Sequence, residues 1–271
     1  MRRNRARVRR ATPLLAILAA SVALAGCLPV RPPPPPPPGV FQGFGFDACT
    51  APTTGQMQAW LSSPFRSVGI YIGGGNRGCS QPALNASWVS TVGNEGWHLA
   101  PLYVGLQAPC TSATNVSVIN GFVPGVQGAQ SALDAIHQAN ILGLGPGTPI
   151  YFDMEAYNSG DAFCVEVVRQ FVTNWVNELH LYGYVAGYYS SSASGIRDEA
   201  QIVQSPNYAH PDAIWFANWD NRLSTTGDPF FSDAYWFDHQ RIHQFEGGHY
   251  EGWGGVALNI DSSVDDGPNA T

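Results

Sequence analysis

The chain has 271 residues, with 13 basic side chains, all arginine, against 20 acidic ones. Six of those arginines crowd the first ten residues; without them seven basic groups face 20 acidic ones, a charge of −13 that excludes nucleic acid and acidic lipid surfaces as partners. From Gly39 onward 233 residues remain, enough for one large core and too few for two ordinary domains with linkers.

Taken in chain order, Arg2, Arg3, Arg5, Arg7, Arg9 and Arg10 precede an apolar run at 13–24 and then Ala25-Gly26-Cys27. This order reads as a secretory signal peptide over residues 1–26. The apolar run falls short of the roughly 20 residues that a membrane-spanning helix needs. Leu24-Ala25-Gly26-Cys27 resembles the bacterial lipobox, in which cleavage makes the cysteine the new N-terminus and its thiol receives lipid. The alternative is ordinary cleavage near Ala25. Arg9-Arg10 is a poorly flanked twin-arginine pair, so the export route stays open. Setting Cys27 aside leaves an even four cysteines, Cys49, Cys79, Cys110 and Cys164, and outside the cytoplasm four predicts two disulfides. Residues 27–40 form a linker around seven consecutive prolines, Pro32 to Pro38, a stiff polyproline spacer of roughly 20 Å.

In the remaining domain, 41–271, short β-branched and aromatic runs alternate with helical patterns. Strands are expected at 43–48, 67–72, 98–104, 149–155, 184–189, 213–217, 241–245 and 256–261. The strongest helix is 163–180, where Phe163, Val167, Phe171, Trp175 and Leu179 form one apolar stripe. Weaker helices fall at 54–61, 87–94, 128–142 and 193–203, and 225–236 reads as a long loop or degenerate helix. The alternation predicts βα units around a parallel sheet: one α/β domain, a single (β/α)8-like TIM barrel, irregular in its second half. If strands two and three are barrel neighbours, Cys79 pairs with Cys110, leaving Cys49 for Cys164; four cysteines allow three pairings and sequence does not choose among them.

Three expected strands end alike: Phe44-Gly45-Phe46-Asp47, Tyr151-Phe152-Asp153-Met154-Glu155 and Leu258-Asn259-Ile260-Asp261. Strand alternation turns Phe44 and Phe46 toward the helices and Gly45 and Asp47 into the barrel. The same parity groups Asp153 with Glu155, and Asn259 with Asp261. Four carboxylates then meet at the carboxyl ends of strands one, four and eight, where barrel enzymes place their chemistry. Crowded carboxylates repel, which separates their pKa values, and glycosidic cleavage needs such a pair: an acid for the leaving oxygen and a carboxylate for the oxocarbenium-like centre.

Gly45-Phe46-Asp47, Phe152-Asp153-Met154-Glu155, Gly187-Tyr188-Tyr189-Ser190, Ile214-Trp215-Phe216-Ala217-Asn218-Trp219, His243-Gln244-Phe245 and Asn259-Ile260-Asp261 resemble, in this order, the strands of the family 25 lysozymes. The opening 45–52, followed by Tyr71-Ile72-Gly73-Gly74, looks closer to a sister group, the secreted actinobacterial glycoside-hydrolase-like domain. The resemblance implies Glu155 as general acid, Asp153 beside it, and Asp47 and Asp261 completing the acidic floor. It also implies a sugar cleft lined by Tyr189, Trp215 and Trp219, with Gln244 on strand seven. No cofactor and no metal are expected. His239 and His243 are four apart, but 241–245 reads as a strand rather than a helix, and the pair lacks the zinc-protease pattern.

The expected function is an extracytoplasmic glycoside hydrolase of cell-wall glycan, plausible as a peptidoglycan muramidase. It is expected to be monomeric and to touch a membrane only through lipid on Cys27. The alternative is a non-catalytic, wall-binding or envelope-assembly barrel that keeps the acidic cleft. Neither the glycan, its linkage nor the stereochemistry of cleavage is readable in the sequence.

Overall fold

A computed structural model describes residues 39–270. The expected signal peptide, the Cys27 lipid site and the prolines at 32–38 lie outside the described residues. Eight strands close into one barrel in sequence order. They are β1 (Gly39–Asp47), β2 (Phe65–Gly73), β3 (His98–Tyr103), β4 (Pro149–Asp153), β5 (Val185–Ser191), β6 (Ala213–Ala217), β7 (Arg241–Trp253) and β8 (Val256–Asn269). Between them run α1 (Thr54–Trp60), α2 (Ala86–Asn94), α3 (Pro124–Ile141), α4 (Ala162–Leu181) and the short α5 (Arg197–Ala200), which continues a π-helical turn at Ser192–Ile196. Among the described residues no helix is long and apolar enough to cross a membrane. The expected α/β barrel is therefore what forms, and β1 begins inside what the sequence reads as linker.

Pairs β1–β2 through β6–β7 are parallel, but β8 runs antiparallel to both β7 and β1. That departs from an all-parallel barrel, and its cause is local. Gly254 and Gly255, at φ of +57° and +81°, make a two-residue hairpin of the glycine-rich kind that fits strand twist. No helix intervenes, so β8 must return antiparallel. The hairpin docks on α1: Trp60 Nε1 donates to the Val256 carbonyl at 3.0 Å, and a Cβ on Gly254 would stand 2.4 Å from the Ala59 carbonyl oxygen. The second half is irregular as expected, since a long loop joins β6 to β7 where a helix would lie.

The main core fills the space between barrel and helices, where Phe46 packs on Trp60, Phe65 and Trp97. On α4, Val167, Phe171, Trp175 and Leu179 are buried, worth roughly 1.5–3 kcal/mol for each large apolar side chain. Phe163, expected in the same stripe, is instead 66% exposed in the first helical turn, its ring lying over Gly121. Asp161 caps this helix by accepting from the Phe163 and Cys164 N–H groups.

Two disulfides form, but not in the expected pairing: Cys49 joins Cys79 and Cys110 joins Cys164. Cys49 follows β1 and Cys79 follows β2; Cys110 follows β3 and Cys164 lies in the helix after β4. Each bridge thus ties the connections of adjacent parallel strands. With partners 30 and 54 positions apart in sequence, loop entropy assigns each about 4 kcal/mol.

Beneath the mouth the barrel interior is polar as well as aromatic. Asp265 on β8 is buried beside Ser67 and Asn269, and one of its carboxyl oxygens has no partner. Burial pushes its pKa up to about 7, with hydrogen bonds from Ser67 and Asn269 opposing the shift. Gly45 makes room for it: a Cβ there would lie 2.7 Å from Asp265 Oδ1. A carboxyl that stays neutral in the fold and ionises in the unfolded chain stabilises the fold fully below about pH 4, and that contribution disappears as pH rises through about 7. Asp265→Asn, which keeps the shape without the charge, is expected to match the parent at pH 4 and exceed it at pH 8 by on the order of 4 kcal/mol at most. Denaturant titrations across that range check it; a difference independent of pH would contradict the assignment.

Candidate active site

The carboxylates reach one mouth by two routes. β1 ends at Asp47 and β4 at Asp153, with Glu155 two residues further on. Because β8 is antiparallel, Asp261 arrives from the first half of its strand rather than from a carboxyl end as expected. It is the direct register partner of Asp47. Asp47, Asp153, Glu155 and Asp261 all line one open cleft of about 360 Å³, together with Tyr71 and Gln107. That volume lies within the ~300–1,000 Å³ usual for small-ligand sites.

Hydrogen bonds fix this floor. Asp47 accepts from Tyr71 Oη at 2.6 Å and from Gln244 Nε2 at 2.9 Å. Gln244 cannot turn over, because its Oε1 accepts from Tyr189 Oη at 3.0 Å and from Trp219 Nε1 at 3.1 Å. Gln107 braces the other side through the backbone: its Nε2 donates to the Asp153 carbonyl at 2.9 Å, and the Glu155 N–H donates to its Oε1 at 2.8 Å. Asp261 accepts from the Gly248 N–H, supplied by the β7–β8 hairpin.

Burial raises all four carboxyl pKa values, and their mutual repulsion separates the roles. Asp47 is pushed up to about 7 by burial and then by Asp261, against the lowering effect of Tyr71 and Gln244. Asp153 is raised well above the carboxylate range by burial, then by the charges of Glu155 and Asp47. Glu155, the exposed member of the four, is raised by partial desolvation, and the neighbouring Asp153 carboxyl opposes that rise. Asp153 and Glu155 therefore titrate together, and the buried Asp153 is the member more inclined to hold a proton. Asp261 is raised by burial and held down by the Gly248 N–H and by His249.

The residues expected to contact sugar divide. Trp219 is 64% exposed, its ring over Gly247. Tyr189 is half-buried and tied to Gln244. Trp215 is only 2% exposed: it fills the barrel interior edge-on to Tyr151 and Tyr189, with Nε1 donating to Ser263 Oγ at 3.2 Å. No face of it is open to a pyranose, so its place corrects the expected stacking role. Gln244 is likewise buried and addresses Asp47 rather than the open cleft.

Tyr71 and Gln107 were not singled out from sequence. Tyr71 was readable by parity on β2, whereas nothing local marks Gln107, which acts on the backbone of a different strand. His243 stacks on Phe216 and points its two ring nitrogens at the Ser224 and Asn218 carbonyls, so it binds the β6–β7 loop. Among the described residues no group of three or more His, Cys, Asp or Glu is arranged to hold a metal.

Each donor to Asp47 lowers its pKa, so removing one must raise it. Tyr71→Phe is expected to move the Asp47 titration above about 7, and Gln244→Leu to do so less, as Tyr71 is the stronger donor. Carbon-13 carboxyl titration by NMR reads both; a downward move in either variant would contradict this geometry.

Residues 58–264 match the family described as Rv2525c-like, glycoside hydrolase-like domain. Among solved structures the chain is similar to an uncharacterized protein of B. stearothermophilus, with a TM-score of 0.53 and 14% identity over 82% of this chain and 95% of that one. A weaker likeness, TM-score 0.49 at 14% identity over 83% and 93% of the two chains, is to the catalytic domain of endolysin ply40 from bacteriophage P40 of Listeria monocytogenes. Another is to the modular autolysin LytC from Streptococcus pneumoniae, with a TM-score of 0.47 and 13% identity over 82% of this chain and 46% of that one. At such identity the first likeness concerns the fold alone, and the two weaker ones carry no further argument. No curated protein sequence matches the chain. With its family match spanning most of the chain and its carboxylates at the barrel mouth, the protein belongs to the Rv2525c-like glycoside hydrolase-like domain family.

Proposed function

We propose that this barrel is an extracytoplasmic glycoside hydrolase acting on cell-wall glycan, with Glu155 as general acid. The observation that carries the reading is the convergence of four carboxyl groups, all with raised pKa values, on one open cleft. The family description as glycoside hydrolase-like supports the reaction class, and the two disulfides support an oxidising compartment. The lipobox-like segment ending at Cys27 and the proline run extend the proposal to a tethered protein of the cell envelope.

A sugar covering the open side of Glu155 removes water from it and favours its neutral form, drawing the pair's proton from Asp153 onto Glu155. Glu155 then protonates the glycosidic oxygen as the bond to the anomeric carbon breaks. Asp153, left ionised beside it, stabilises the positive charge developing on the ring until water adds to the anomeric carbon and gives up a proton to an ionised carboxylate of the cleft. Asp261, held down by the Gly248 N–H and by His249, is the more readily ionised member of the facing pair and supports the same charge from the other side. Asp47, held by Tyr71 and Gln244, faces Asp261 across the β1–β8 pair and adds to the same field.

The test is release of reducing ends from purified peptidoglycan by the domain from residue 39 onward, alongside Glu155→Gln. The parent is expected to release them, and the variant to lose activity by roughly 10²-fold to 10⁴-fold, the usual range for a general acid. Equal activity in both would remove Glu155 from the mechanism. If both are inactive yet sediment with the wall, the barrel binds glycan without cleaving it.

A further inference from the structure

The cleft contains one basic side chain whose presence the proposed chemistry leaves unexplained. Arg77 lines it beside Asp47, Asp153, Glu155 and Asp261. Despite that company it forms no ion pair among the described residues; its Nη1 donates to the Tyr71 carbonyl at 3.2 Å, and Nε and Nη2 have no partner there. Nor does it set the protonation of the carboxylates, which answers to burial, to one another and to the donors named above.

The segment carrying Arg77 is built to stay in place. Its backbone N–H donates to the Gly74 carbonyl at 3.3 Å, closing the turn after β2. Gly74 takes φ of +99° there, and a Cβ on it would lie 2.0 Å from the Val104 carbonyl oxygen. Asn76 donates to the Gly105 and Ser117 carbonyls and accepts from the Ser117 N–H, each at 2.8 Å. Two residues beyond Arg77, Cys79 is bridged to Cys49 at the end of β1. The backbone beneath Arg77 is thereby fixed, so that only its side chain has to order when it meets a ligand.

Resting on the glycan reading above, we propose that Arg77 is a specificity-determining residue that reads a carboxylate substituent on the bound glycan. The substrate class is then an acidic glycan, with one carboxylate on a sugar next to the scissile bond, rather than a neutral one. One nitrogen of the guanidinium is engaged by Tyr71, leaving the Nε/Nη2 edge, whose two parallel N–H groups match the two oxygens of a carboxylate. A phosphate ester, at about −1.5 to −2, meets stronger repulsion from four neighbouring carboxyl groups than a carboxylate does.

The experiment measures binding by calorimetry on the full domain carrying Glu155→Gln, so that no probe is turned over. The probes are an amino-sugar tetrasaccharide bearing free lactyl carboxylates, the same oligomer with those carboxyls reduced to alcohols, and chitotetraose. The acid is expected to bind roughly tenfold or more tightly than the alcohol. Adding Arg77→Gln is expected to abolish that preference with chitotetraose binding unchanged, and Arg77→Lys to leave part of it. Equal binding of acid and alcohol, or a preference that survives Arg77→Gln, overturns the role of Arg77 while leaving the glycan reading intact. Failure of all three oligomers to bind overturns the glycan reading, and this inference with it.

Discussion

Four carboxyl groups gathered at one end of a barrel, Asp47 and Asp153 buried, Asp261 half-buried and Glu155 exposed, repel one another, and much of the structure around them answers that constraint. Each is given a different compensation. Asp47 receives two side-chain donors, Asp261 a backbone N–H and a nearby histidine, and the buried Asp153 is pushed toward its neutral form. The result is a set of groups of one chemical type whose protonation differs by position, which is what acid-assisted bond cleavage requires of a pair of carboxyl groups.

The antiparallel return of β8 is what makes this crowding possible. A parallel eighth strand would deliver its carboxyl end to the mouth and then leave. The hairpin instead passes the mouth twice, so that β7 contributes Gln244 and the Gly248 N–H while β8 contributes Asp261. Continuing inward, β8 turns Ser263 toward Trp215 and Asp265 into the lower barrel. One β-hairpin therefore supports the acidic floor from above, beside and beneath, and the docking of its turn on α1 holds it there.

The connections after β1 to β4 are tied in pairs, Cys49 with Cys79 and Cys110 with Cys164. These connections carry Arg77, Asn76, Gln107 and Glu155, so the bridges restrain the wall of the cleft as well as the unfolded chain. The opposite wall has no disulfide. There the β6–β7 loop is secured by His243 and carries the exposed Trp219. A disulfide-tied wall with the arginine thus faces a wall held by hydrogen bonds, packing and ion pairs such as Arg241 with Asp233.

The sequence by itself determined the barrel, most strand positions and the inward parity of Asp47, Asp153, Glu155 and Asp261, because hydrophobic alternation and strand periodicity are local signals. It also determined that four cysteines make two bridges. Strand direction, disulfide pairing and the environment of each inward side chain were decided only by the tertiary structure. The polar run Asp261-Ser262-Ser263-Val264-Asp265 shows no apolar alternation, since the barrel interior that it faces is itself polar, so β8 reads as ending eight residues early. Gly254-Gly255 did carry the hairpin in local form, but its consequence, that the last strand comes back antiparallel, depends on what lies on either side. Trp215 and Gln244 look like ligand contacts in a motif and prove to be buried supports, because burial depends on which strands become neighbours. Gln107 and Arg77 acquire their positions from chain segments distant in sequence, and no spacing within one element encodes a contact made across three.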